Sequence, residues 1–502
     1  MGEQVPYIYI NGDGNVIGDG NVVTITKQYF TGEYERLRDA YIDPSPVFER
    51  VDLDHFVGRE WLLAEVDAFL RDHDRGYFIL EAEAGLGKTT FMAWLVKTRG
   101  YLQHFCERVP GLEGIGIGLK SLAAQLVLTC HLSAWEADGV LPGAANRPDY
   151  FHSLLRRAAD QRKPGEKIVL VIDALDEAGT PPTQNVLGLP DALPMGVFFI
   201  ASQRPVPVPL RGDAATTPRC VFHLNATDDK NQTDVQRFLE NATGWPGVAR
   251  LLQESAIPAE RLIATLQEKS HGLWMYLHYI THAIDRREWL PLDLAILPDG
   301  MTQYYIQYWR RWRDSDEAQW YKSYLPLLTT LAAAGEPISV EQLLRWSGAA
   351  LSGQQAHRLL NEQWRPFLTA VRGDASTFGL YHLTLKEFCS GQVDHHALTV
   401  AEVALVDELA ARTVQAHRRF ADGFLNDCGG LKAGLPRLAK PSMHEREYSY
   451  GLRHLVYHLT RARMFSELRA LIVHPDWYRA QRAYDPSGNT YLVSMYLLNN
   501  PG

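Results

Sequence analysis

The sequence predicts an α/β domain with a parallel sheet flanked by helices, followed by a largely helical remainder. Three observations predict it. The apolar run Tyr77-Phe78-Ile79-Leu80 leads directly into A-E-A-G-L-G-K-T-T, residues Ala82 to Thr90. The continuous apolar run Ile168-Val169-Leu170-Val171-Ile172 ends in Asp173-Ala174-Leu175-Asp176-Glu177. A third run, Val197-Phe198-Phe199-Ile200-Ala201-Ser202, ends in Gln203-Arg204-Pro205. Short runs without polar alternation suit strands buried on both faces, as in parallel sheets. The carboxyl ends of such strands share one edge, where ligands bind.

The first run and its turn have the layout of a phosphate-binding P-loop: strand, glycine-rich turn, Lys-Thr-Thr, helix. Backbone N–H groups at a helix N-terminus favour bound anions. The pattern departs from G-x-x-x-x-G-K-[ST] at one place, where Ala82 replaces the first glycine. Gly85 and Gly87 let the backbone wrap phosphates, and Lys88 supplies a charge near the β- and γ-phosphates. Thr89 is the candidate Mg²⁺ ligand. Leu86 and Thr90 complete the candidate nucleotide-binding set.

In the second run Asp173 stands at the sheet edge as the candidate to hold Mg²⁺, through a water. Asp176 and Glu177 lie about one turn beyond it, and Glu177 is the choice to polarise an attacking water. Arg204 closes the third run at the same edge, where a guanidinium can contact a γ-phosphate. These motifs imply a nucleoside di- or triphosphate bound with Mg²⁺.

Composition narrows the class. A chain of 502 residues has room for roughly three or four domains. With 46% hydrophobic residues it is not disordered, and a net charge of −9 argues against general affinity for nucleic acid or anionic membrane. Its five cysteines include no C-x-x-C pair, which suits a reducing compartment without a zinc site or disulfide framework. The N-terminus lacks a secretory signal, Pro6 replaces the Ser or Thr of a myristoylation motif, and no apolar stretch is long enough for a bilayer. The expected location is the cytoplasm, without membrane contact.

His55-Phe56-Val57-Gly58-Arg59-Glu60 precedes a helical pattern with Leu62, Leu63, Val66, Phe69 and Leu70 on one face. "F-V-G-R-E", a helix and then a P-loop resemble the start of a STAND-class nucleotide-binding domain, the NACHT and NB-ARC group. The D-A-L-D-E segment resembles the NACHT form of the Walker B motif. Lys269-Ser270-His271-Gly272-Leu273-Trp274-Met275-Tyr276-Leu277 is similar to the "S-x-G-x-F-L-Y" helix of bacterial NACHT proteins. Leu297-Pro298-Asp299-Gly300-Met301 resembles their entry to a winged-helix domain, and Tyr381-His382-Leu383-Thr384-Leu385-Lys386-Glu387-Phe388 resembles the winged-helix signature.

The resemblance covers about residues 55 to 390. It implies that Val57 and Arg59 lie against the adenine, and that His382 reaches the β-phosphate of ADP and locks a closed state. It implies five segments: residues 1–45, an N-terminal β-repeat and linker; 46–228, the nucleotide-binding domain; 229–298, a helical domain; 299–395, a winged helix; 396–502, a helical C-terminal region. The implied function is an ATP/ADP-switched signalling NTPase with slow turnover. It is closed with ADP and self-associates into a homo-oligomer with ATP, as a bacterial or fungal defence or stress sensor with an unidentified activating ligand. Moving a switch from mostly closed to mostly open takes about 5.5 kcal/mol. One hydrogen bond to a charged group contributes about 1.5–3 kcal/mol, so His382 is not the whole latch. Two other readings stay open: a nucleotide-binding scaffold without turnover, and an ATP-dependent nucleic-acid regulator using the winged helix. From Ser339 to Asp394 the basic and acidic residues balance, which disfavours the latter.

Two segments stand apart. Gly12-Asp13-Gly14-Asn15-Val16-Ile17 is repeated as Gly18-Asp19-Gly20-Asn21-Val22-Val23. This reads as a hairpin or β-arch, or as a stacking motif that recruits an effector through residues 1–26. The region from about Ala397 is helical in pattern. His454 and His458 are four apart there, with no carboxylate between them of the H-E-x-x-H kind, so they read as packing residues.

Overall fold

The computed structural model describes residues 16–18, 21–23, 32–106, 111–132, 140–180, 184–212, 216–287, 293–371, 377–380, 382–438, 445–484 and 491. The chain divides into two compact units, Met1–Leu297 and Pro298–Gly502.

In the first unit, β1 (Val16–Gly18) and β2 (Asn21–Val23) pair antiparallel, with Val16 opposite Val23. The remainder of the 1–26 stacking segment lies outside the described residues. Helices α1 (Ser45–Arg50) and α2 (Glu60–Asp72) follow. The α/β core then runs β3 (Gly76–Ala82), α3 (Lys88–Arg99), β4 (Leu102–Phe105), α4 (Gly111–Thr129), α5 (Pro148–Gln161), β5 (Ile168–Asp173), β6 (Val197–Gln203) and β7 (Arg219–Leu224). All pairings in this sheet are parallel, in the order β4-β5-β6-β3-β7.

Both faces of the sheet are covered, which is why its strands carry unbroken apolar runs. Side chains alternate between faces along a strand. Tyr77, Ile79, Leu170, Ile172 and Phe199 face one core with Leu122 and Leu126 of α4 and Phe151 and Leu155 of α5. Phe78, Leu80, Val171, Phe198 and Ile200 face the other, with Leu62, Val66 and Phe69 of α2 and Phe91, Met92 and Leu95 of α3. Four helices complete the unit: α6 (Asp229–Ala242), α7 (Pro246–Ser255), α8 (Ala259–Ser270) and α9 (Trp274–Asp285).

The second unit opens with α10 (Gly300–Ser315), in which Tyr304, Tyr305 and Trp309 are buried. Then come α11 (Leu325–Ala333), β8 (Ile338–Ser339), α12 (Val340–Ser347), α13 (Gly353–Arg358), β9 (Leu368–Val371) and β10 (Thr377–Leu380). The strands form an antiparallel sheet in the order β8-β10-β9. Helix, strand, two helices and a two-stranded wing make a winged helix. The short α14 (Leu383–Cys389) leads to the long α15 (Val400–Asp427), started by a Thr399–Glu402 capping box. Helices α16 (Glu445–Arg461), α17 (Phe465–Ile472) and α18 (Pro475–Tyr484) pack against α15 through Leu425, Leu455, Leu459 and Trp477. Among the described residues, no helix is long and apolar enough to cross a membrane.

Candidate functional site

The site is built on the carboxyl edge of the parallel sheet. Ala82, which replaces the first P-loop glycine, is the last residue of β3 and pairs with Leu224. It is extended strand there, so its backbone does not call for glycine. Gly85 and Gly87 have φ of 84° and 82°, in the left-handed region that disfavours other residues. They turn the chain so that α3 begins at Lys88, with Gly87 as its N-cap. The first-turn N–H groups of α3 therefore lack intrahelical partners and open onto the loop. Leu86 is buried, whereas Thr90 is half-buried in the first turn.

Lys88 Nζ donates to Ala82 O at 2.6 Å and to Glu83 O at 2.8 Å. Burial lowers its pKa, opposed by the nearby Asp173 and Asp176. A desolvated ammonium beside open amides fits an anionic ligand, which would satisfy both. Thr89 Oγ1 donates to Asp173 Oδ2 at 2.8 Å. These two oxygens, one from the helix and one from the end of β5, are the hard donors that Mg²⁺ takes.

Ser202, which the sequence reading left without a role, donates from Oγ to Asp173 Oδ1 at 2.6 Å and accepts from Ala174 N–H at 3.0 Å. Ala174 has φ of 55°, so the chain leaves β5 through a left-handed residue held by that serine. The turn Leu175–Glu177 follows, with Glu177 half-buried and its N–H bonded to Ala174 O at 2.9 Å. Asp176 and Arg204 are joined to each other: Arg204 Nε donates to Asp176 Oδ2 at 2.7 Å.

Arg59 and Val57 enter from the segment before α2. Val57 is half-buried in irregular chain. Gly58 has φ of 79°, and a Cβ on it would fall 2.3 Å from Asp234 Cγ, so only glycine fits. Arg59 itself has φ of 67° and is 4% exposed. Its Nη2 donates to Leu86 O at 3.0 Å and to Asn231 Oδ1 at 2.9 Å, and its N–H donates to Asp234 Oδ2 at 3.0 Å. Burial brings its pKa down to about 10 against the pull of Asp234. Its Nη1 is buried, has no hydrogen-bond partner among the described residues and lies 4.0 Å from Asp234 Oδ2.

The helical segment Asp229–Asp285 also touches the loop. Met275 N–H donates to Gly85 O at 3.0 Å. Trp274 lies 3.8 Å from the point where a Gly87 Cβ would sit, and its Nε1 donates to Asn231 Oδ1 at 2.9 Å. The Arg59 guanidinium is 5.1 Å from the Trp274 ring centroid. Asn231 Nδ2 donates to Ala226 O and Gly272 O. Asn231, Asp234 and Trp274 are residues that sequence reasoning missed. The one available signal was a polar side chain at a core position of α6.

Gly85, Leu86, Gly87, Lys88, Thr89, Thr90, Asp173, Asp176, Glu177 and Arg204 thus share one sheet edge, and Arg59 is tied to it through Leu86. His382 belongs to the second unit, where it caps α14: its Nδ1 accepts from Thr384 N–H at 3.2 Å and lies 2.9 Å from Thr384 Oγ1. Tyr381 of the same motif lies outside the described residues.

No family model and no curated protein matches the chain. Among solved structures it is similar to a Signal Transduction ATPase with Numerous Domains (STAND) protein with a tetratricopeptide repeat sensor from Pyrococcus horikoshii, at 13% identity and a TM-score of 0.40, over 89% of this chain and 58% of that one. The chain therefore spans 58% of the length of that protein. It is also similar to a RuvB point mutant from Thermotoga maritima, at 13% identity and a TM-score of 0.26, over 65% of this chain and 94% of that one.

Proposed function

We propose that this chain is an ATP/ADP-switched signalling NTPase of the STAND class and NACHT type. The observation that carries the reading is the Thr89–Asp173 pair, 2.8 Å apart, set at the head of α3 beside Lys88 and the left-handed Gly85 and Gly87. The loop amides and Lys88 hold the phosphates. Thr89 and Asp173 hold Mg²⁺, which supplies charge neutralisation when bound. Glu177 orients the attacking water, and Val57 and Arg59 line the adenine side. His382 holds the ADP state closed, and ATP releases a surface for self-association in the cytoplasm. Residues 1–26 then recruit an effector in a defence or stress response to an unidentified ligand.

The test is the nucleotide that co-purifies with the full chain. Adenine nucleotide at one equivalent, lost in Lys88→Ala with the fold kept by circular dichroism, is the expected result. A nucleotide-free protein that binds neither ATP nor ADP ends the proposal. For the latch, His382→Ala is expected to speed ADP release and raise basal oligomerisation, and unchanged ADP retention with an unchanged mass removes that role.

One observation favours a second reading, a nucleotide-holding scaffold without turnover. Arg204 and Asp176 are spent on each other, and the Asp176 side chain is only 3% exposed. ATP hydrolysis that vanishes in Glu177→Gln excludes the scaffold.

A further inference from the structure

A second cluster of donor atoms lies on the segment just before Val57, and nothing in the phosphate site uses it. Asp52 has φ of 44°, a left-handed conformation that aspartate tolerates better than most residues. Its Oδ1 is 2.8 Å from His55 Nδ1, and its Oδ2 is 3.0 Å from His282 Nε2 and 3.8 Å from His278 Nδ1. The donor atoms of Asp52, His55 and His282 all lie within 4.8 Å of one another. His278 and His282 are four apart on α9, so both rings lie on one face, with centroids 4.5 Å apart. Trp245 covers the cluster, 4.5 Å from the His55 ring and 5.0 Å from the His282 ring. Asp52, His278 and His282 are half-buried and His55 is exposed, which leaves a path from solvent.

Three imidazoles around one carboxylate exceed what orienting a single aspartate requires.

We propose that Asp52, His55 and His282, with His278 as the fourth ligand, form a binding site for a divalent transition-metal ion of the Zn²⁺ kind. Bonds of about 2.0–2.1 Å to a tetrahedral Zn²⁺ place neighbouring donors about 3.4 Å apart. Asp52 Oδ2, at 3.0 Å from His282 Nε2 and 3.8 Å from His278 Nδ1, stands near that spacing from two rings, and His55 Nδ1 lies 2.8 Å from the other oxygen of the same carboxylate. A nitrogen-rich set with one carboxylate selects against Mg²⁺ and Ca²⁺, which take oxygen. The metal clamps the chain before α2 to α9. The site needs no nucleotide.

The test is a Zn²⁺ titration of the untagged, chelator-treated full chain without nucleotide, followed by calorimetry. One equivalent bound is expected, and Co²⁺ should give the visible bands of a tetrahedral site. His282→Ala, His55→Ala and the near-isosteric Asp52→Asn should each weaken binding at least tenfold, while His395→Ala leaves it unchanged. Because His55 is exposed, its variant decides the matter should His282→Ala not fold. Absence of a one-equivalent isotherm, or one that His55→Ala leaves untouched, overturns the proposal. So does an octahedral Co²⁺ spectrum.

Discussion

Arg204 and Asp176 form a two-point pair at the edge of the sheet: Nε meets Oδ2 at 2.7 Å, and the Arg204 N–H meets Oδ1 at 3.2 Å. They are 28 residues apart and meet only because β5 and β6 are neighbours. Both Asp176 oxygens meet Arg204, so the carboxylate fixes where that guanidinium sits.

The first prediction concerns that pair. Arg204→Ala and Asp176→Asn should lower single-turnover ATP hydrolysis by similar factors, and the double variant should fall no further than either alone. Glu177→Gln should lower it most while nucleotide stays bound. An Asp176→Asn protein with full hydrolysis and a dead Arg204→Ala protein would sink the coupling.

Ser202 is predicted to matter as much as the motif residues around it. Ser202→Ala removes one partner from the buried Asp173 and one from Ala174 N–H. Loss of these bonds should cost about 1–3 kcal/mol of stability, read from urea denaturation. Mg²⁺-dependent nucleotide affinity should fall as well. Ser202→Thr, which keeps the hydroxyl, should restore most of the Mg²⁺ effect if the role is positional.

Asn231 is the joint between Arg59, Trp274 and the turn at Gly272. Asn231→Ala leaves Trp274 Nε1 and Gly272 O without that bond, a cost of about 2–3 kcal/mol. Nucleotide affinity should drop although Asn231 lies outside the P-loop motif. Equal stability by denaturant titration would show that the network is not loaded as described.

His104 on β4 is predicted to make the first unit acid-sensitive. It is 1% exposed, neither ring nitrogen has a hydrogen-bond partner among the described residues, and burial alone brings its pKa down to about 4. The unfolded chain takes up this proton near pH 6.5 and the folded chain only near pH 4. Stability is therefore whole above about pH 6.5 and declines as pH falls toward 4, by about 3 kcal/mol for this group. His104→Leu should flatten that part of the stability–pH curve relative to the parent. Parallel curves for the two proteins would contradict the assignment.

The strands of the sheet are legible because burial on both faces removes polar alternation, so Tyr77–Leu80, Ile168–Ile172 and Val197–Ala201 stand out as runs. The Gly85–Thr89 turn is legible because few residues other than glycine adopt its two left-handed positions. Ala82 looks like a defect in the motif until β3 is seen to extend through it. What the sequence does not display is adjacency. The Arg204–Asp176 and Ser202–Asp173 bonds follow from strand order, and the Arg59–Asn231 bond spans 172 residues with no periodic trace. Asp52 and His282 are separated by 230 positions, and only the fold brings their donors together.

The bond from Met275 N–H to Gly85 O has a consequence for motion. A hinge that swings α9 away must strip a main-chain carbonyl of its donor at the glycine turn before α3. Loop shape and helix placement therefore rise and fall as one cooperative unit. Hydrogen exchange at the Met275 amide would act as a gauge, slow while the two elements are seated and fast once they part.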